Sequence, residues 1–202
     1  MSTPGRIVLL RHGETEWSLS GKHTGRTDIP LTDRGRERAA ALGPVLAALR
    51  GTQDPPALVL SSPMRRATET AELAGPHPEI DERLREWDYG DYEGLTTDEI
   101  RTSVPGWTVW THPCPGGETA EQVGHRADAV LERARTALAR GDVVLVGHGH
   151  FSRVLAARWL NQPATAGVHY AMDAGSLTVL GDERGVPQLE HVNLMQLAPE
   201  RD

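Results

Sequence analysis

The first apolar run of the chain, Ile7-Val8-Leu9-Leu10, stops abruptly at Arg11-His12-Gly13-Glu14. A short aliphatic and β-branched run bounded by charge reads as a buried strand that delivers charged groups to its C-terminal edge. In open α/β sheets that edge is where ligands bind. Arginine brings a rigid, permanently charged fork suited to phosphate oxygens. Histidine brings a nitrogen that serves as an unprotonated nucleophile near neutral pH, and glycine lets the backbone approach closely. The expectation is phosphoryl transfer through a histidine.

Two further runs repeat the pattern. Ala57–Leu60 is followed by Ser61-Ser62-Pro63, and Asp142–Val146 by Gly147-His148-Gly149-His150. Helical periodicity fills the intervals. Thr32 or Asp33 caps a helix carrying Ala39, Leu42, Val45, Leu46 and Leu49 to near Gly51. Ser61-Ser62-Pro63 opens a second helix, with serine as N-cap and proline in the first turn, which breaks at Gly75-Pro76. A short helix from Thr96 or Thr97 runs to Ile100. A long one runs from Glu118 to Arg140, closed by Gly141, and another from Phe151 to Leu160. The tail reads as two strands, Ser176–Leu180 and Gln188–Leu197, around a turn at Gly181–Gly185. Residues 13–32 read as one long loop, and residues 79–95 as irregular. This order predicts a three-layer α/β/α domain with a mostly parallel central sheet spanning residues 1–202, and residues 85–117 as an insertion or lid over the site.

Charge narrows the function classes. The net charge of −7 argues against a nucleic-acid binder, and it makes a local basic cluster more notable. No apolar stretch approaches membrane-helix length, and the N-terminal residues lack a signal-peptide apolar core. Cys114 is the sole cysteine, which excludes an intrachain disulfide and favours a cytoplasmic setting. A homodimer is a possible assembly for which the sequence identifies no surface. No nucleotide-binding glycine fingerprint is present.

The three strand ends carry a resemblance. Leu10-Arg11-His12-Gly13-Glu14-Thr15 is similar to the signature of the histidine phosphatase superfamily, the phosphoglycerate-mutase-like proteins. Ser61–Ala71 resembles that family's second motif, in which the arginine before alanine, here Arg66, faces the phosphate. Leu84–Gly94 resembles the third, whose first glutamate, here Glu86, is the proton donor. Pro115–Thr119 resembles the turn that starts the long helix, and Gly147-His148-Gly149 the motif of the second histidine. The resemblance implies a metal-independent phosphomonoesterase needing no cofactor and acting on a small phosphorylated metabolite. His12 would form the phosphohistidine, and Arg11, Arg66 and His148 would neutralise the transferred group. Glu86 would protonate the leaving group and then activate water; near neutrality this calls for an apolar wall, which Trp87 and Tyr89 could supply, raising its pKa. Activity would then favour pH below neutral.

Ser18, Thr24 and Gly25 match positions lining the phosphate, Ser18 standing where the family commonly has asparagine. Tyr89 matches a family substrate contact or else packs under the lid, Gly149 belongs to the second-histidine motif beside the substrate, His150 stands where many members carry Asn or Thr, and Arg153, one helical turn on, could reach a second anionic group. Glu14 and Glu118 read as structural, Glu118 as a first-turn carboxylate. His148 and His150 lack further ligands at metal-site spacing, so a substrate contact is preferred for His150. Trp87, Trp107 and Trp110 would either stack on a sugar ring or form the core of the lid. Phosphoglycerate mutases resemble the chain in the core motifs but have a longer, basic insertion; here Leu95–Pro115 offers Arg101 and His112 alone. Hydrolysis is therefore favoured over the mutase alternative. A catalytically inactive binding or regulatory module is the further alternative, opposed by the intact catalytic positions.

Overall fold

A computed structural model describes residues 5–51, 54–75 and 77–195. Six strands form one sheet: β1 (Ile7–Arg11), β2 (Leu58–Ser61), β3 (Glu79–Ile80), β4 (Val143–Gly147), β5 (Leu177–Glu183) and β6 (Val186–Leu194). Their spatial order is β3-β2-β4-β1-β5-β6; the first four are mutually parallel, and β5 and β6 are antiparallel. Helices are α1 (Glu16–Ser20), α2 (Asp33–Arg50), α3 (Arg65–Ala74), α4 (Thr97–Ser103), α5 (Ala120–Leu138) and α6 (Gly149–Trp159).

The central strands β1 and β4 are buried on both faces because they are apolar along almost their whole length, while the edge strands β3 and β6 are largely exposed. Side chains alternate along a strand, so Ile7 and Leu9 of β1 and Val143 and Leu145 of β4 join one core, with α5 and α6. Val8, Leu10, Val144 and Val146 join the other, with α2 and α3. This is the expected three-layer architecture. The register sets Arg11 beside Gly147 and Ser61 beside Val146, so three neighbouring strands end level with one another.

Several local expectations change. The loop expected over residues 13–32 contains α1, because Thr15 and Ser18 close a reciprocal capping box. Helix α3 begins at Arg65 with Met64 as a cap residue that makes no side-chain cap bond; the Ser62 hydroxyl is used elsewhere. Helix α5 starts after Thr119, whose hydroxyl and the Gln122 side chain cap each other's backbone amides. Glu118 is therefore not a first-turn carboxylate. It accepts from the Asp88 amide and pairs with Arg126 at 2.7 Å. Helix α5 ends at an Ala139 cap before Gly141, and α6 begins at Gly149, two residues before its expected start. Residues 79–95, expected to be irregular, contain β3 and two short 3₁₀ turns. The tail strands turn at Arg184 and Gly185, within the expected Gly181–Gly185 turn, with β5 running on to Glu183 and β6 starting at Val186. The expected residues Met1–Pro4, Pro76 and the strand's last positions through Leu197 lie outside the described residues.

Candidate active site

His12 follows β1, and its amide donates to the Gly147 carbonyl at 2.9 Å, which ties it to the end of β4. Its Nδ1 lies 2.8 Å from the Gly13 carbonyl oxygen. A carbonyl only accepts, so Nδ1 carries the proton and Nε2 keeps its lone pair. Burial, and then the Arg66 and Arg11 guanidiniums, hold His12 well below the usual imidazole range. The ring is thus a neutral imidazole of defined tautomer. Gly13 is scaffold: a Cβ there would come within 2.7 Å of the Gly35 carbonyl, and its amide donates to Thr70 Oγ1 at 3.0 Å.

Arg66 is fully buried at the start of α3. It donates from Nη1 to the Thr27 carbonyl at 2.9 Å, from Nη2 to the Thr24 carbonyl at 3.1 Å, and from Nε to His148 Nδ1 at 3.3 Å. A guanidinium only donates, so His148 carries its proton on Nε2, which reaches Ser62 Oγ at 2.7 Å. Burial and the Arg66 charge keep His148 well below the usual imidazole range. The expectation that His148 adds positive charge is corrected: it is neutral here and braces Arg66 between α3 and Ser62. Its ring packs edge-on to His12 at 5.2 Å. Arg11 donates to the Met172 carbonyl at 2.5 Å, while its buried Nε has no partner among the described residues.

Glu86 departs most from expectation. Instead of an apolar wall, backbone amides surround its oxygens: Oε1 accepts from Trp87 and Phe151 at 2.8 Å each, and Oε2 from His150 at 3.0 Å. The reason is topological. His148 at the N-cap of α6 supplies no side-chain cap, so the first-turn amides take a carboxylate from the loop above.

Arg11, His12 and Glu86 line a cleft of about 270 Å³ together with Tyr89, His150 and Arg153, whereas Arg66 and His148 are outside its lining and reach it through their contacts with Thr24 and His12. Ser18, Thr24 and Gly149 line it as well. The Ser18 hydroxyl is engaged in capping α1, and that of Thr24 donates to the Lys22 carbonyl. Gly25 is outside this lining, and its amide is taken by both oxygens of Glu93. The expected phosphate contact at Gly25 is thereby corrected, since Glu93 anchors that loop from below. His150 Nδ1 lies 2.6 Å from Tyr89 Oη. Burial first, then the charge of Arg153, keeps His150 well below the usual imidazole range.

Trp87, Trp107 and Trp110 sit in the core with α5 and α6, outside the cleft lining, which corrects the sugar-stacking alternative. The residues missed were His23, Ser62, Thr70 and Met172. His23 packs on Tyr89 at 4.7 Å and faces the cleft, and burial pushes it down to about 4. Nothing in the sequence around His23 or Met172 signals the cleft. Ser62 lies within a quoted motif but reads as a helix cap. Among the described residues no helix is long and apolar enough to cross a membrane.

Comparison with known proteins agrees with the geometry. The family model of the histidine phosphatase superfamily (branch 1) matches residues 7–195. An acid phosphatase of Mycobacterium tuberculosis is 48% identical over 94% of this chain and 92% of its own. A sedoheptulose 1,7-bisphosphatase of Saccharomyces cerevisiae is 34% identical over 76% of this chain and 67% of its own. A solved open reading frame product of M. tuberculosis superposes with a TM-score of 0.90 at 47% identity, covering 95% of this chain and 98% of the other. The chain belongs to the histidine phosphatase superfamily, branch 1.

Proposed function

We propose that this protein hydrolyses small phosphomonoesters, sugar phosphates among them, through a phosphohistidine on His12. The observation that carries the reading is the hydrogen bond from His12 Nδ1 to the Gly13 carbonyl, which turns an unprotonated Nε2 free for attack. In the first step Nε2 bonds to phosphorus as the ester P–O bond breaks, and the leaving oxygen takes a proton from Glu86. In the second, Glu86 accepts a proton from water as its oxygen displaces His12. Arg11 and Arg66 neutralise charge on the equatorial oxygens without a metal.

Hydrolysis is favoured over mutase chemistry by the segment over the site. Its arginine, Arg101, is exposed and donates to the Trp107 carbonyl, so no cluster of basic side chains stands there to hold a transferred-group acceptor. A cytoplasmic setting belongs to this reading, supported by the single cysteine, Cys114. The test is phosphate release from a panel of phosphomonoesters, with 3-phosphoglycerate and its bisphosphate as mutase controls. Release should exceed isomerisation, survive a chelator, and vanish in His12→Ala. Isomerisation exceeding release, or loss of activity to the chelator, would overturn it.

A further inference from the structure

Among the described residues, every hydrogen-bond acceptor of the fully buried Arg66 guanidinium is neutral: the carbonyls of Thr24, Gly25 and Thr27, and Nδ1 of His148. A desolvated cation held in this way is costly unless negative charge reaches it by another route. Burial pushes the Arg66 pKa down, and the carboxylates that oppose the shift are Glu86, Asp28 and Glu93. Glu86 is held by the amides of Trp87, His150 and Phe151, and Asp28 accepts from the Arg65 amide. Glu93 is the one that grips the segment carrying the Arg66 acceptors.

The connection runs through single peptide groups. The Gly25 amide donates to Glu93 Oε1 at 3.0 Å and Oε2 at 2.9 Å, and the Thr27 amide donates to Oε1 at 2.9 Å. The Gly25 N–H and the Thr24 C=O belong to one peptide, whose oxygen accepts from Arg66 Nη2 at 3.1 Å. Thr27 repeats the arrangement within one residue, its N–H on Glu93 and its C=O on Arg66 Nη1 at 2.9 Å. A carboxylate that accepts from an amide polarises the peptide and strengthens the bond its carbonyl accepts. The approach calls for glycine, because a Cβ on Gly25 would lie 3.0 Å from Glu93 Oε2 and 2.7 Å from the Trp87 carbonyl. Glu93 is itself fixed: the Gly94 amide donates to the His23 carbonyl at 2.8 Å, and the His23 amide to the Leu95 carbonyl at 2.9 Å. Arg66 bears directly on the chemistry, since after burial its charge is the first influence that keeps His12 unprotonated.

We propose that Glu93 is a positioning residue for the reaction: through the Thr24–Gly25 peptide and Thr27 it aligns and polarises the carbonyls that hold the Arg66 guanidinium beside His12. This rests on the phosphatase reading above. The test is a double-mutant cycle on p-nitrophenyl phosphate. Glu93→Gln keeps one acceptor oxygen but loses the charge and an amide bond, and should lower kcat/KM about tenfold, the worth of one charge-assisted hydrogen bond. In an Arg66→Gln background the same change should cost less than about twofold, because a residue acting through Arg66 then has nothing to act on. An equal loss in both backgrounds, or wild-type activity in Glu93→Gln alone, overturns the proposal. A second readout does not need the doubly substituted enzyme: solvent exchange of the Arg66 Nε–H, followed by nitrogen-15 NMR. Glu93→Gln should speed that exchange about tenfold while the β4 amides exchange at the wild-type rate. Unchanged exchange at Arg66, or a gain shared by the β4 amides, overturns the proposal as well. If wild type does not hydrolyse p-nitrophenyl phosphate, the phosphatase reading itself fails and the proposal falls with it.

Discussion

Gly149 heads α6 directly against the Arg11 guanidinium, and replacing it by alanine separates site geometry from fold stability. An added Cβ would lie 3.1 Å from Arg11 Cζ, 3.2 Å from Nε and 3.4 Å from Nη1. Ordinary carbon contacts start near 3.5 Å, so the guanidinium must retreat by roughly 0.4 Å. Arg11 cannot swing freely, because Nη1 is already bonded to the Met172 carbonyl at 2.5 Å. A misplacement of about 1 Å in a catalytic group can cost on the order of 100-fold, so the fractional shift here should cost roughly five- to tenfold in kcat/KM. Alanine in place of a helical glycine gains about 0.5–1 kcal/mol, which offsets strain of similar size. Gly149→Ala should therefore keep its urea midpoint within about 1 kcal/mol of wild type while losing activity on p-nitrophenyl phosphate. Activity within twofold of wild type would refute the reasoning, and so would a loss matched by a fall in stability.

Three further outcomes follow from the same geometry. His12 should remain the neutral, Nδ1-protonated tautomer as pH falls from 7.5 to about 5.5, because burial and two arginines oppose its protonation; nitrogen-15 ring shifts of His12 would disagree if it titrated near 6.5. His23 has a folded pKa of about 4 against an ordinary 6.5, so its share of stability is fully present above pH 6.5 and is lost as pH falls toward 4. At 1.36 kcal/mol per pH unit that share is about 3 kcal/mol, and His23→Gln should flatten the pH dependence of the urea midpoint; an unchanged slope would contradict it. Ser62→Ala removes the acceptor of the buried His148 Nε2–H, and should cost about 1–3 kcal/mol by urea unfolding together with a fall in kcat; a neutral effect on both would show that the contact is dispensable.

Much of this site is legible in the chain because strands announce themselves. Short uninterrupted apolar runs rich in β-branched residues and ending in Arg-His or Gly-His-Gly read as buried strands with charged C-terminal edges, and parallel neighbours bring such edges together. The sequence by itself therefore determined the three layers and the convergence of Arg11, Arg66 and His148 at the ends of neighbouring strands. Tertiary structure decided what each group can do once there. Glu86 was expected against an apolar wall but meets three amides, because α6 lacks its own cap. His148 was expected as a charge but is neutral, because Arg66 donates to it. Gly25 was expected at the phosphate but is held by Glu93, and the tryptophans belong to the core. Such outcomes depend on partners far away in the chain, often more than 40 residues distant, and no local pattern encodes them. Arg11-His12 at the end of β1 is thus a property of sequence; the proton position on His12 and the three amides around Glu86 are properties of the fold.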